Sequence, residues 1–234
     1  MKAMRLATCV LVVLVACASV FAQVDFNKPL VADKDTVLLL HFDEGKGEPQ
    51  DASAAKHAVR NRDAAWTTEG KFGGAMDLAD GICLVEHADT LACPEAMTVE
   101  AWIKPTAEDV SGGFHILVHK ADSPPEGNAR LYFLLAKGGV QNYPDFKVAV
   151  ALEPGKWHHI AYVVTGTQEA GGKEYLFLDG VLLAAKPSVW LGLTQKGVMR
   201  IGGLSDKAEA FRGVMDELRI SRVARPYPGV EVKK

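Results

Sequence analysis

Two pairs of adjacent carboxylates, Asp43-Glu44 and Asp216-Glu217, stand far apart in the chain. Hard carboxylate oxygens that converge with backbone carbonyls suit calcium. Asp80, before Gly81, is a third oxygen donor, although Asp-Gly is also a turn signal in its own right. The seven histidines invite a zinc reading that their spacing does not support. His158 and His159 are neighbours on an extended run, so they point to opposite faces. His115 and His119 share a face but stand about 13 Å apart at strand rise. No cysteine–histidine cluster completes a tetrahedral set.

A different chemistry is suggested by rings and amides in turn-rich segments. Trp190 lies in KPSVWLGLTQK (186–196), and Tyr143 in QNYPD (141–145). Asn128 and Arg130 follow Pro124-Pro125. An aromatic platform with polar neighbours is what carbohydrate binding needs. Trp190 also has a plainer reading, as a ring covering the core between Val189 and Leu191. No Gly-x-Ser-x-Gly elbow, His-Glu-x-x-His or phosphate loop occurs. Glu86 and Asp89 are too loosely spaced to form an acid pair on one strand face, so the expectation is a non-catalytic protein.

The elements that must position these residues are strands. Short β-type runs recur from 37 to 221, punctuated by Gly, Pro, Asn and Asp. In 98–104, Val99, Ala101 and Ile103 alternate with Thr98, Glu100, Trp102 and Lys104. In 157–165, His159, Ala161 and Val163 oppose His158, Ile160, Tyr162 and Val164. Asp179-Gly180 joins two apolar runs as a type I′ hairpin turn. About a dozen strands without convincing helices imply two packed antiparallel sheets or a barrel. The polar stretches 43–65 and 121–130 read as loops.

Composition agrees with a folded domain: 234 residues, 48% hydrophobic and 24% charged. Lys2 and Arg5, the apolar run 6–17 and the small residues before Gln23 read as an export signal over 1–22. Cleavage after Ala22 competes with a lipobox reading that lipidates Cys17 as a membrane anchor. Losing Lys2 and Arg5 takes the formal net charge from -3 to -5. That balance argues against nucleic acid as a partner. No segment reaches the roughly 20 apolar residues of a transmembrane helix. Residues 23–35 read as a linker, 36–225 as one domain and 226–234 as a tail. The remaining cysteines, Cys83 and Cys93, read either as a disulfide in an exported protein or as separate small apolar residues.

Five segments in order resemble the laminin-G-like jelly roll of the concanavalin A-like lectin/glucanase superfamily. They are Leu38-Leu39-Leu40-His41-Phe42-Asp43-Glu44-Gly45; Gly70-Lys71-Phe72-Gly73-Gly74-Ala75-Met76-Asp77-Leu78; Met97-Thr98-Val99-Glu100-Ala101-Trp102-Ile103-Lys104-Pro105; Trp157-His158-His159-Ile160-Ala161; and Val214-Met215-Asp216-Glu217-Leu218-Arg219-Ile220. The resemblance implies an all-β, two-sheet antiparallel sandwich. It brings the first and last strands together, hence Asp43 near Asp216, and implies a calcium ion there. The plainer alternative is that Asp216 binds backbone groups and Glu217 pairs with Arg219 or Arg222. The Glu-x-Asp-x-x-Glu pattern of the superfamily's glucanases is missing. The chain therefore reads as a secreted or envelope-attached module binding a glycan or, failing that, an extracellular protein. A glycosidase or lyase ranks below both.

Overall fold

The structure, a computed structural model, describes residues 24–122, 131–204 and 209–230. Its strands in chain order are β1 (Thr36–Leu40), β2 (Val59–Arg62), β3 (Ala65–Thr67), β4 (Ala75–Asp77), β5 (Ile82–Val85), β6 (Met97–Lys104), β7 (Phe114–Lys120), β8 (Leu131–Ala136), β9 (Gly139–Asn142), β10 (Phe146–Ala149), β11 (His158–Val164), β12 (Lys173–Leu178), β13 (Val181–Pro187), β14 (Met199–Ile201) and β15 (Val214–Ser221). One sheet runs β13-β12-β11-β6-β15-β4-β3, with β1 also paired to β15. The other runs β10-β9-β8-β7-β14-β5-β2. All ladders within both sheets are antiparallel. This is the expected all-β sandwich.

Alternation decides which side chains enter the core. Val99, Ala101 and Ile103 of β6 and Ile160, Tyr162 and Val164 of β11 lie in the apolar layer between the sheets. Ala161 and Val163 face outward into a second cluster with Tyr175, Phe177 and Tyr227. Val24, Phe26, Ala224 and Val230 pack against that outer face. Phe26 packs edge-on against His159 and Trp102, and Leu30 donates its amide to Glu217 Oε2 at 2.6 Å. Tyr227 donates to Glu100. The segments read as linker and tail thus include packed residues of the sandwich.

The Asp179-Gly180 turn is as expected: both residues have positive φ, 50° and 77°. The Asp179 carboxylate also accepts the His159 amide at 2.7 Å. Strand β2, within 43–65, and β3, which starts at its end, were not legible. Only Val59 of β2 is buried, and Arg60 and Arg62 at this sheet edge mask the alternation.

The disulfide reading is corrected. Cys83 and Cys93 are both free and buried. Cys83 pairs with Asn61 and Ile201 in the β5 ladders. Cys93 Sγ lies 3.9 Å from the carbonyls of Leu91 and of Ser221 in the other sheet. Burial pushes both thiols up to about 12. They act as small core residues.

Candidate ligand site between the sheet edges

The edge strands β10 and β13 belong to different sheets and approach each other, with Lys186 Nζ 5.3 Å from the centre of the Phe146 ring. Beside them the 142–145 turn and the 188–191 loop enclose a small pocket. Asn142, Tyr143, Pro144 and Asp145 form one wall, Val189, Trp190 and Leu191 the other, and Tyr162, Glu174 and Lys186 also line it. Its volume is about 60 Å³. A water occupies about 30 Å³ in the liquid, so this space suits a hydroxyl or hydroxymethyl group rather than a sugar ring.

Each wall is tied from behind. Gln141 Nε2 donates to the Pro144 carbonyl at 3.1 Å, and the Tyr143 amide donates to Tyr132 at 3.0 Å. On the opposite side Glu174 is the anchor. It sits at the end of β12, core-facing by register with Leu176 and Tyr162, and is 1% exposed. Its Oε1 accepts the Val189 amide at 2.7 Å and its Oε2 accepts the Tyr162 hydroxyl at 3.0 Å. Ser188 Oγ then accepts the Trp190 amide at 3.0 Å. Burial and the Glu174 charge hold the Tyr162 phenol well above its usual range.

Of the residues expected to bind ligand, Tyr143 and Trp190 are brought together, in different roles. Tyr143 is 46% exposed and offers its ring. Trp190 is 3% exposed and packs in the core, so its ring is not an open platform. Its indole Nε1, however, is buried with no acceptor among the described residues. Leaving such a donor unmatched costs about 1–3 kcal/mol. Asn128 and Arg130 lie outside the described residues. Sequence reasoning missed Glu174, because a buried glutamate gives no local signal in an otherwise apolar strand.

The acidic pairs behave differently. Asp43 Oδ1 accepts the Gly74 amide at 2.7 Å, and Asp216 Oδ2 accepts the Phe72 amide at 3.0 Å. The two carboxylates therefore grip one short loop. Asp80 is exposed. Among the described residues no group of three His, Cys, Asp or Glu is placed to hold a metal. The expected Asp43–Asp216–Asp80 ligand set is not assembled. Calcium takes six to eight oxygens, and the buried carboxylate oxygens left unpartnered are Asp216 Oδ1 and Glu44 Oε2. These residues do not by themselves form its shell. Burial, with the Glu217 charge, pushes the Asp216 carboxyl up to about 7. Glu217 pairs with His41 at 2.8 Å rather than with an arginine, and that contact raises the His41 pKa.

The two packed antiparallel sheets define a jelly-roll sandwich. The chain belongs to the concanavalin A-like lectin/glucanases superfamily, whose laminin G-type family matches residues 78–228. No curated protein matches it in sequence. The fold is similar to the binding domain of Paraclostridial Mosquitocidal Protein 1, with TM-score 0.61 and 15% identity over 81% of this chain and 49% of that one. It is similar to the botulinum neurotoxin serotype G binding domain, with TM-score 0.59 and 8% identity over 81% of this chain and 48% of that one. It is also similar to Domain 4 of AbnA, a GH43 extracellular arabinanase from Geobacillus stearothermophilus in complex with arabinotriose. There the TM-score is 0.58 and the identity 18%, over 82% of this chain and 94% of that one. The chain spans about half the length of the toxin domains.

Proposed function

We propose that this chain is an exported, non-catalytic module that binds carbohydrate at the pocket between Tyr143 and Trp190. The observation that carries the reading is an exposed ring, Tyr143, beside a small pocket whose other wall is built by Val189, Trp190 and Leu191. A ring takes the apolar CH face of a sugar, and the polar residues lining the pocket, Asn142, Asp145 and Lys186, offer partners for its hydroxyls. Domain 4 of AbnA, solved with arabinotriose, supports the same class of ligand on this fold. Export rests on the basic start and apolar run of residues 1–22. The chemistry of the site asks nothing of the acidic loop clamp, so calcium assistance is a separate question with its own test.

A glycan-array screen of the purified chain, in millimolar calcium and again in EDTA, tests this reading. Reproducible binding in either condition is the expected result. Silence across a broad neutral array overturns it. The second reading is a protein-interaction module, favoured by Val189 and Leu191, which are 46% and 55% exposed beside the pocket. It is what remains if the array is silent and a pull-down from the native envelope recovers a specific protein through these two residues.

A further inference from the structure

We infer that the site takes a neutral oligosaccharide rather than a single sugar, with one residue over Tyr143 and the next on Phe114; this rests on the carbohydrate reading above. Phe114 opens β7 and is 41% exposed, an unusual state for a phenylalanine. Its ring centre lies 6.2 Å from that of Tyr143, at 81°. Tyr132 supports Tyr143 from the other side at 5.3 Å, and Tyr132 is itself fixed by a hydrogen bond to Glu209. Two exposed rings, one of them braced, therefore stand side by side, with Tyr143 also lining the pocket.

The size of the pocket sets the division of labour. Its 60 Å³ admits one hydroxyl or hydroxymethyl group, within reach of the wall that carries Trp190. The sugar ring bearing that group must stay outside, where Tyr143 is the available surface. A chain leaving that ring along the exposed surface meets Phe114. The charge pattern selects against acidic sugars. The cation at the pocket, Lys186, already faces Glu174 Oε2 at 3.7 Å. Asp145 on the opposite wall is an exposed carboxylate that repels an anion.

Isothermal titration calorimetry of the full chain tests this with ladders from monosaccharide to hexasaccharide of arabinan, xylan, glucan and mannan. An oligogalacturonate ladder is the anionic control. The expected result is a neutral ladder whose affinity rises roughly tenfold from one sugar to two and then levels. Phe114→Ala should erase that rise, and Phe114→Tyr, which keeps an aromatic face, should retain it. Tyr143→Ala should weaken every member. Affinity independent of chain length, or a rise that survives Phe114→Ala, overturns the two-residue platform and leaves the carbohydrate reading intact. Tighter binding of oligogalacturonate overturns the neutral class. Silence on all ladders overturns both readings.

Discussion

Glu174 Oε1 lies 2.7 Å from the amide nitrogen of Val189, so a fully interior carboxylate sets the loop that carries Trp190. The same carboxylate receives the Tyr162 hydroxyl and the Ser188 hydroxyl. Glu174→Ala leaves the Val189 amide and Tyr162 hydroxyl unmatched. A stability loss on the order of 2 kcal/mol is expected from chemical denaturation. Glu174→Gln keeps the shape and accepts one amide. It should fold with a smaller loss while glycan affinity still falls, which separates loop positioning from bulk stability.

Glu100 and Arg219 form a buried pair, with Glu100 Oε1 2.9 Å from Nε and 2.7 Å from Nη2. Burial alone would raise the Glu100 pKa, but the His159 contact at 3.5 Å and the Arg219 charge hold it at about 2. A depressed carboxylate stabilises above its unfolded value of 4.5 and loses that stabilisation as pH falls toward 2. Arg219→Met strands the charge and should cost about 3–5 kcal/mol. Urea midpoints from pH 6 down to 3 check both. A wild-type curve flat across that range refutes the pairing as an acid-stability device.

Gly180 is constrained twice. Its φ is +77°, and a Cβ there would lie 2.6 Å from Phe26 Cε2. Gly180→Val should therefore destabilise by more than ~1 kcal/mol. The two causes separate in a double-mutant cycle. If the ring contact matters, Phe26→Ala in the Gly180→Val background recovers part of the loss. Strict additivity assigns the whole cost to the turn.

The sandwich was legible because strand alternation is local. β6 and β11 split into core and outer faces as their period-two pattern requires, and Asp179-Gly180 announces its own turn. The candidate site was legible only in part. Tyr143 and Trp190 stand in turn-rich segments, but 46 residues separate them and no local pattern shows that edge strands from two sheets meet there. Trp190 illustrates the limit. Its segment is a loop, yet Glu174 and Ser188 fold that loop inward and bury the ring. The cysteines show the same limit: residues ten apart in sequence turn to different sheets.

Asp216 provides the test for calcium. Its Oδ1 is buried without a partner, and burial raises its carboxyl to about 7 from 3.8. An acid raised in the folded state stabilises most when protonated. Its contribution is full below about 4 and is lost as pH rises toward 7. Asp216→Asn keeps the acceptor for the Phe72 amide and cannot ionise. In EDTA the variant should match or exceed wild type at pH 7.5 and lose most of the wild-type slope between pH 4 and 7. Added calcium distinguishes the roles. If an ion neutralises Asp216, millimolar calcium raises the wild-type Tm at pH 7.5 and leaves the asparagine variant unmoved. If calcium shifts neither protein, the carboxylate is a clamp for the 70–74 loop, and glycan binding proceeds without a bridging metal.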